Sequence, residues 1–166
     1  MSTTPNPVIE RPQKDEASNE AQVLTLQLGQ GVFAIEVSRV REVLDHTPIT
    51  PLAGAPATVL GMIDVRNVGV LVVDLKRKLN LGAETEVDKN TRLVVLEMVS
   101  DTGEQTLAVV ADAVYEVLEV DMATVEPPPG LGKSWNNRFM RGLGRRQGEF
   151  LTFLDIDALL AEQTWT

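Results

Sequence analysis

The chain states one pattern twice, and that duplication limits the folds open to it. Phe33-Ala34-Ile35-Glu36-Val37-Ser38-Arg39-Val40-Arg41-Glu42-Val43-Leu44 returns as Leu107-Ala108-Val109-Val110-Ala111-Asp112-Ala113-Val114-Tyr115-Glu116-Val117-Leu118. Identities fall at Ala34/Ala108, Val40/Val114, Glu42/Glu116, Val43/Val117 and Leu44/Leu118. A second pair follows, because Gly61 precedes Asp74 by the same interval as Gly142 precedes Asp155. Two copies of so short a unit imply two similar subdomains with a seam between them. A seam between equivalent halves is a natural seat for a partner.

Local pattern supplies the elements. Leu24, Leu26 and Leu28 alternate with polar residues, Gly29-Gln30-Gly31 reads as a turn, and Val32 to Val37 reads as the return strand. Val40, Val43 and Leu44 have helical spacing and predict one helical turn, which Ala113 to Leu118 repeats. Thr47-Pro48-Ile49-Thr50-Pro51 is extended, since proline restrains itself and the residue before it. Leu60 to Val65 and Val68 to Val73 form strands across Arg66-Asn67, and Asp74 caps a short helix, Leu75 to Leu79, that Gly82 ends. Arg92 to Val99 and Thr106 to Val110 pair around Asp101-Thr102-Gly103. Glu126-Pro127-Pro128-Pro129-Gly130 is a stiff break. Phe139 to Leu143 and Glu149 to Leu154 are the last strands, and Asp155 caps a helix running to about Glu162.

Many short strands, heavy use of valine and no long helices between strands predict a mainly β chain of small barrels. Residues 1–21 are polar and proline-rich and read as a disordered tail. The folded part spans 22–162. One subdomain covers about 22–82, a polar linker 83–90, and the second subdomain about 91–162, with terminal elements free to cross over.

Composition narrows the function. A net charge of −9 opposes general nucleic-acid binding, which rests on neutralising phosphates. There is no cysteine, so disulfides, thiolate nucleophiles and cysteine-held metals are excluded. No apolar run reaches the length of a membrane span, and the N-terminus lacks a signal-peptide pattern.

The catalytic candidates are thin. His46, the only histidine, reads as a loop residue without the orienting partner and nucleophile that a base needs. Asp155 and Asp157, joined by Asp64, are the carboxylates of a rival reading as a metal-dependent hydrolase. That set lacks nitrogen ligands. Asp155 and its repeat equivalent Asp74 read better as helix caps, and Asp157 as first-turn charge. No metal or cofactor is expected. The loop from Gly142 to Gly148 misses the phosphate-binding spacings and leads into a strand. Lys133, Arg138, Arg141, Arg145 and Arg146 read either as a solvated loop or as a basic patch for an acidic protein partner. Val40 and Val114 hold the same place in the two copies and would flank one groove if the halves pack about a pseudo-twofold axis.

The runs F-A-I-E-V-S-R-V-R-E-V-L, P-I-T-P-L, V-L-G-M-I-D-V-R-N and V-V-D-L-K-R-K-L, then D-A-V-Y-E-V-L, F-M-R-G-L-G and L-D-I-D-A-L-L, resemble the chemotaxis adaptor family of CheW-like domains across about residues 22–162. The resemblance implies two five-stranded SH3-like barrels packed around a shared core, with short helices. It implies a non-enzymatic adaptor that couples the cytoplasmic hairpin tip of chemoreceptors to the regulatory domain of a histidine kinase. The setting would be cytoplasmic, at receptor arrays beneath the inner membrane, with other adaptor copies as further partners and no insertion into the membrane. The receptor would lie in a groove lined by Leu24, Val37, Val40, Val43 and Val114. The turn of Arg66, Asn67 and Val68 would meet the kinase or the receptor edge. Here Asp64-Val65-Arg66-Asn67 replaces the family's usual Asn-Leu-Arg-Gly, and Leu71 stands where the family often has proline. These departures bear on the kinase contact more than on the fold. They also fit an orphan or non-flagellar array scaffold that binds receptor without the usual kinase.

Overall fold

The computed structural model describes residues 20–81, 86–100, 103–127 and 138–160, with no account of the side chains of 98–100 and 160. The tail up to residue 19, Gly82, Asp101, Thr102, the run from Pro128 to Gly130, Lys133 and the chain beyond residue 160 lie outside the described residues.

The first half contributes β1 (Glu20–Leu28), β2 (Gly31–Glu36), a 3₁₀ turn (Val37–Arg39), β3 (Val40–Asp45), β4 (Val59–Val65), β5 (Val68–Val73) and α1 (Leu75–Lys78). The second contributes β6 (Arg92–Ser100), β7 (Gly103–Ala111), β8 (Ala113–Asp121), a 3₁₀ turn (Met122–Thr124), β9 (Met140–Arg146), β10 (Glu149–Leu154) and α2 (Ile156–Leu160). The expected hairpins are present. β1 starts at Glu20, so Glu20 and Ala21 leave the expected tail and pair with Asp121 and Val120 of β8.

Neither sheet is drawn from one half. One runs β8-β1-β2-β10-β9 and the other β3-β6-β7-β5-β4. Each takes a hairpin from one half and three strands from the other. The halves meet twice in each sheet, through an antiparallel pairing, β1 with β8 and β3 with β6, and a parallel one, β2 with β10 and β5 with β7. The result is the mainly β, double SH3-like barrel architecture. We call the sheet containing β1 the first barrel and the sheet containing β3 the second.

Three apolar clusters follow from strand alternation. Val23, Ala34, Leu151 and Phe153 fill the first barrel, and Ile63, Val70, Val72, Leu93 and Val95 fill the second. Leu24, Leu26 and Leu28 take the opposite face of β1 and meet Val94, Leu96, Val109, Leu75 and Ile156 in a shared core between the sheets.

The helical turns expected at Val40 to Leu44 and Ala113 to Leu118 are strands. The reason is a bulge in each ladder, between Val40 and Glu42 against β6 and between Leu24 and Leu26 of β1 against β8. An extra residue turns the period of two into a spacing of three and four, which imitates a helix. Val40 thus packs on the shared core while Leu44 enters the second barrel, and Val114 and Leu118 divide in the same way. At the first-barrel bulge the buried Thr25 hydroxyl donates to the Glu116 carbonyl at 2.9 Å and accepts from the Glu116 N–H at 3.1 Å. It thereby satisfies backbone groups that the bulge takes out of the ladder.

Candidate functional site

The seam between the barrels carries the apolar candidates. Val37, Val40 and Val114 are half-buried and pack on the margin of the shared core. The 3₁₀ turn that holds Val37 and Arg39 lies against both β1 and β6. Val114 also borders a hollow of about 490 Å³ with Gln27, Asp112 and Tyr115. Leu24 is only 7% exposed, so it supports this margin from within and offers a partner almost no surface. Val43 is 39% exposed, on the face of β3 away from Leu44.

The β4–β5 turn is the second candidate. Val65 pairs with Val68, and both intervening residues have positive φ, 53° at Arg66 and 69° at Asn67. That is a two-residue hairpin of type I′, which asparagine tolerates. The Asp64 carboxylate accepts from the Asn67 N–H at 2.7 Å, which fixes the turn. The Arg66 guanidinium reaches both carboxylate oxygens of Glu42 on β3, at 3.1 and 3.3 Å. These hydrogen bonds hold Glu42 below the ordinary carboxylate range and raise Arg66. Val68 stands beside the pair, 60% exposed.

The first barrel repeats this arrangement. Gln147 and Gly148 form the β9–β10 turn, again both with positive φ. Arg146 pairs with Glu116 of β8, and Phe150 is 61% exposed next to the turn. Each pair runs between the two edges of its barrel, from β3 to the turn after β4 and from β8 to β9. The sequence marked Glu42 and Glu116 as a repeated identity. It did not reveal their arginine partners, because Arg66 and Arg146 fall at unequal places in the two turns.

The four basic candidates are dispersed among different partners. Arg141 pairs with Glu36 at 3.2 Å and Arg146 with Glu116, while Arg138 and Arg145 lie over the rings of Phe139 and Phe150. The carboxylates of the hydrolase reading also have other employment. Asp155 accepts from the Ala158 N–H and Asp74 from the Arg77 N–H, both as helix caps. Asp64 holds its own turn. Asp157 binds Arg39 through both oxygens, at 2.6 and 3.0 Å, which depresses its pKa and raises that of Arg39. No three metal-ligating side chains cluster among the described residues. His46 is half-buried beside a hollow of about 210 Å³ that Ile49 and Leu60 also border. Among the described residues, no helix is long and apolar enough to cross a membrane.

The architecture defines a class by its fold, a double barrel with an apolar seam and two ion-paired edges. Comparison with known proteins makes the class specific. The family model of the CheW-like domain matches residues 22–164. The chain is 25% identical over 142 residues to the chemotaxis protein CheW of Rhizobium meliloti, covering 86% of this chain and 88% of that one. It is 29% identical over 147 residues to protein FrzA of Myxococcus xanthus, covering 87% and 88%. The crystal structure of the scaffolding protein TtCheW from Thermoanaerobacter tengcongensis superposes with a TM-score of 0.75 at 23% identity, over 88% of this chain and 90% of that one. The chain therefore belongs to the CheW-like domain family. It is a chemotaxis-type adaptor and not an enzyme.

Proposed function

We propose that this adaptor couples chemoreceptors to a histidine kinase within a cytoplasmic signalling array. The receptor's cytoplasmic hairpin lays an apolar stripe along Val37, Val40 and Val114, as an amphipathic helix does in a groove. Leu24 is the floor of that groove and Val43 its outer lip. The kinase regulatory domain takes the Arg66-Asn67-Val68 turn, whose guanidinium is oriented by Glu42. Further adaptor copies extend the assembly. The observation that carries the reading is the paired placement of Val40 and Val114, equivalent in the repeat and both half-buried at the margin of the one core that the barrels share.

Signal passes only if the bound adaptor meets the kinase's two states with different free energies. The test is calorimetric titration of the full chain against a cytoplasmic receptor fragment and against the kinase regulatory domain from the same organism. Binding of both supports coupling. Val40→Asp should remove receptor binding and leave the circular dichroism spectrum and kinase binding intact. An unchanged receptor affinity in that variant defeats the groove assignment. Binding of receptor alone would make the chain an array scaffold without the usual kinase.

A further inference from the structure

Among the ion pairs that cross between the halves, two run from a helix to a strand corner, and their polarities are opposite. Lys76 and Asp157 each stand two residues after the capping aspartate of their helix, Asp74 and Asp155. Lys76 reaches from α1 to Asp112, at the corner between β7 and β8, at 3.0 Å. Asp157 reaches from α2 to Arg39, at the corner between β2 and β3. Each corner leads directly into a seam valine, Val40 after Arg39 and Val114 just beyond Asp112. Because the polarities are reversed, docking either helix on the other's corner would oppose like charges. The two pairs therefore help to specify which half meets which.

Their surroundings differ. The Lys76 and Asp112 side chains are 8% and 16% exposed, and Asp112 also accepts the Gly29 N–H at 2.7 Å. The Arg39 and Asp157 side chains are 30% and 50% exposed, with Glu36, Asp155 and Arg141 close enough to act on them. Dissolved salt weakens an exposed pair far more than a buried one. We infer that Arg39 and Asp157 are positioning residues for the seam: they hold the Val40 wall through a salt-labile clamp, while Lys76 and Asp112 hold the Val114 wall rigidly. The inference rests on the proposed receptor groove, and it gives that groove one fixed wall and one adjustable wall.

The test uses the absence of cysteine from the chain. Spin labels at Asp45→Cys on β3 and Val117→Cys on β8, both exposed, report the distance between barrels by pulsed electron paramagnetic resonance. The expected result is a narrow distribution that broadens as salt is raised. In Arg39→Gln, and likewise in Asp157→Asn, it should be broad at low salt and insensitive to further salt. Affinity for the receptor fragment should fall on the order of tenfold in either variant, and no further in the double variant, as for residues acting through one coupling. A distribution that stays narrow in Arg39→Gln overturns the inference, as do fully additive affinity losses. Val40→Asp separates the two levels. If it abolishes receptor binding while Arg39→Gln leaves the affinity unchanged, the positioning role fails and the groove stands. If neither variant affects binding, both fall.

Discussion

Gly61→Ala should be among the most damaging single-methyl additions to this chain. A Cβ at Gly61 would lie 2.1 Å from the Thr50 carbonyl oxygen, against 3.4 Å or more for ordinary contact, so the crossing segment must retreat by more than 1 Å. That segment is held to β4 by two hydrogen bonds of 2.8 and 2.9 Å between Thr50 and Met62, which cannot survive such a shift. Their loss costs about 2 kcal/mol. The φ of +144° adds about 1–3 kcal/mol of strain for a residue with a Cβ. The stiffer unfolded chain returns about 0.4–1 kcal/mol. The net loss is about 3 kcal/mol, a large part of the stability of a domain this size. Two other glycines separate the causes. Gly142 has no positive φ, and a Cβ there would meet the Glu126 carbonyl and the Val125 side chain, each at 2.6 Å, so Gly142→Ala should cost about 1–2 kcal/mol from crowding without backbone strain. Gly54 has a φ of +77° and open space around it, so Gly54→Ala should cost about 1 kcal/mol. Urea unfolding followed by circular dichroism measures all three, read as midpoint shifts at constant slope. The reasoning is refuted if Gly61→Ala falls within about 0.5 kcal/mol of the parent, the range of an ordinary surface substitution, or if Gly54→Ala is the worst of the three.

Thr25→Val keeps the shape but strands the Glu116 N–H and carbonyl at the bulge, so it should cost about 2 kcal/mol in the same urea assay; a loss below about 0.5 kcal/mol would show that solvent reaches the bulge. Arg66→Ala should weaken binding of the kinase regulatory domain with little change in the unfolding midpoint, since its ion pair is on the surface, and undiminished kinase affinity would remove the turn from the interface. Asp157 has its pKa depressed by Arg39, so its contribution is present above the unfolded-state value and is lost as pH falls through the lower folded-state value. Stability should therefore fall less steeply below about pH 4 in Asp157→Asn than in the parent, and parallel curves would refute the linkage.

Most of the elements were legible because alternation and turn chemistry are local. Leu24, Leu26 and Leu28, the Arg66-Asn67 turn and the caps at Asp74 and Asp155 each announce themselves within a few residues. The two helical turns were misread for an instructive reason. A bulge after Val40 and another after Val114 each insert one residue, and valines spaced for a helix are then strand residues that change faces. The exchange of hairpins between halves left no local mark, because β1 meets β8 and β2 meets β10 only in three dimensions. The same holds for the ion pairs. The repeat exposed Glu42 and Glu116 as equivalents, but their arginines lie on another hairpin, and the partners of Lys76 and Asp157 lie in the opposite half.

The strand exchange also fixes the order in which a growing chain can complete its parts. The second barrel needs β3 through β7, so all its strands are available once Ala111 has been made. The first barrel begins with β1 and β2 but places β10 between β2 and β9, so it must wait for Leu154. During synthesis the N-terminal hairpin, complete at Glu36, therefore stands alone until β8 begins at Ala113 and without β10 until Glu149. The barrel that starts first is the last to close.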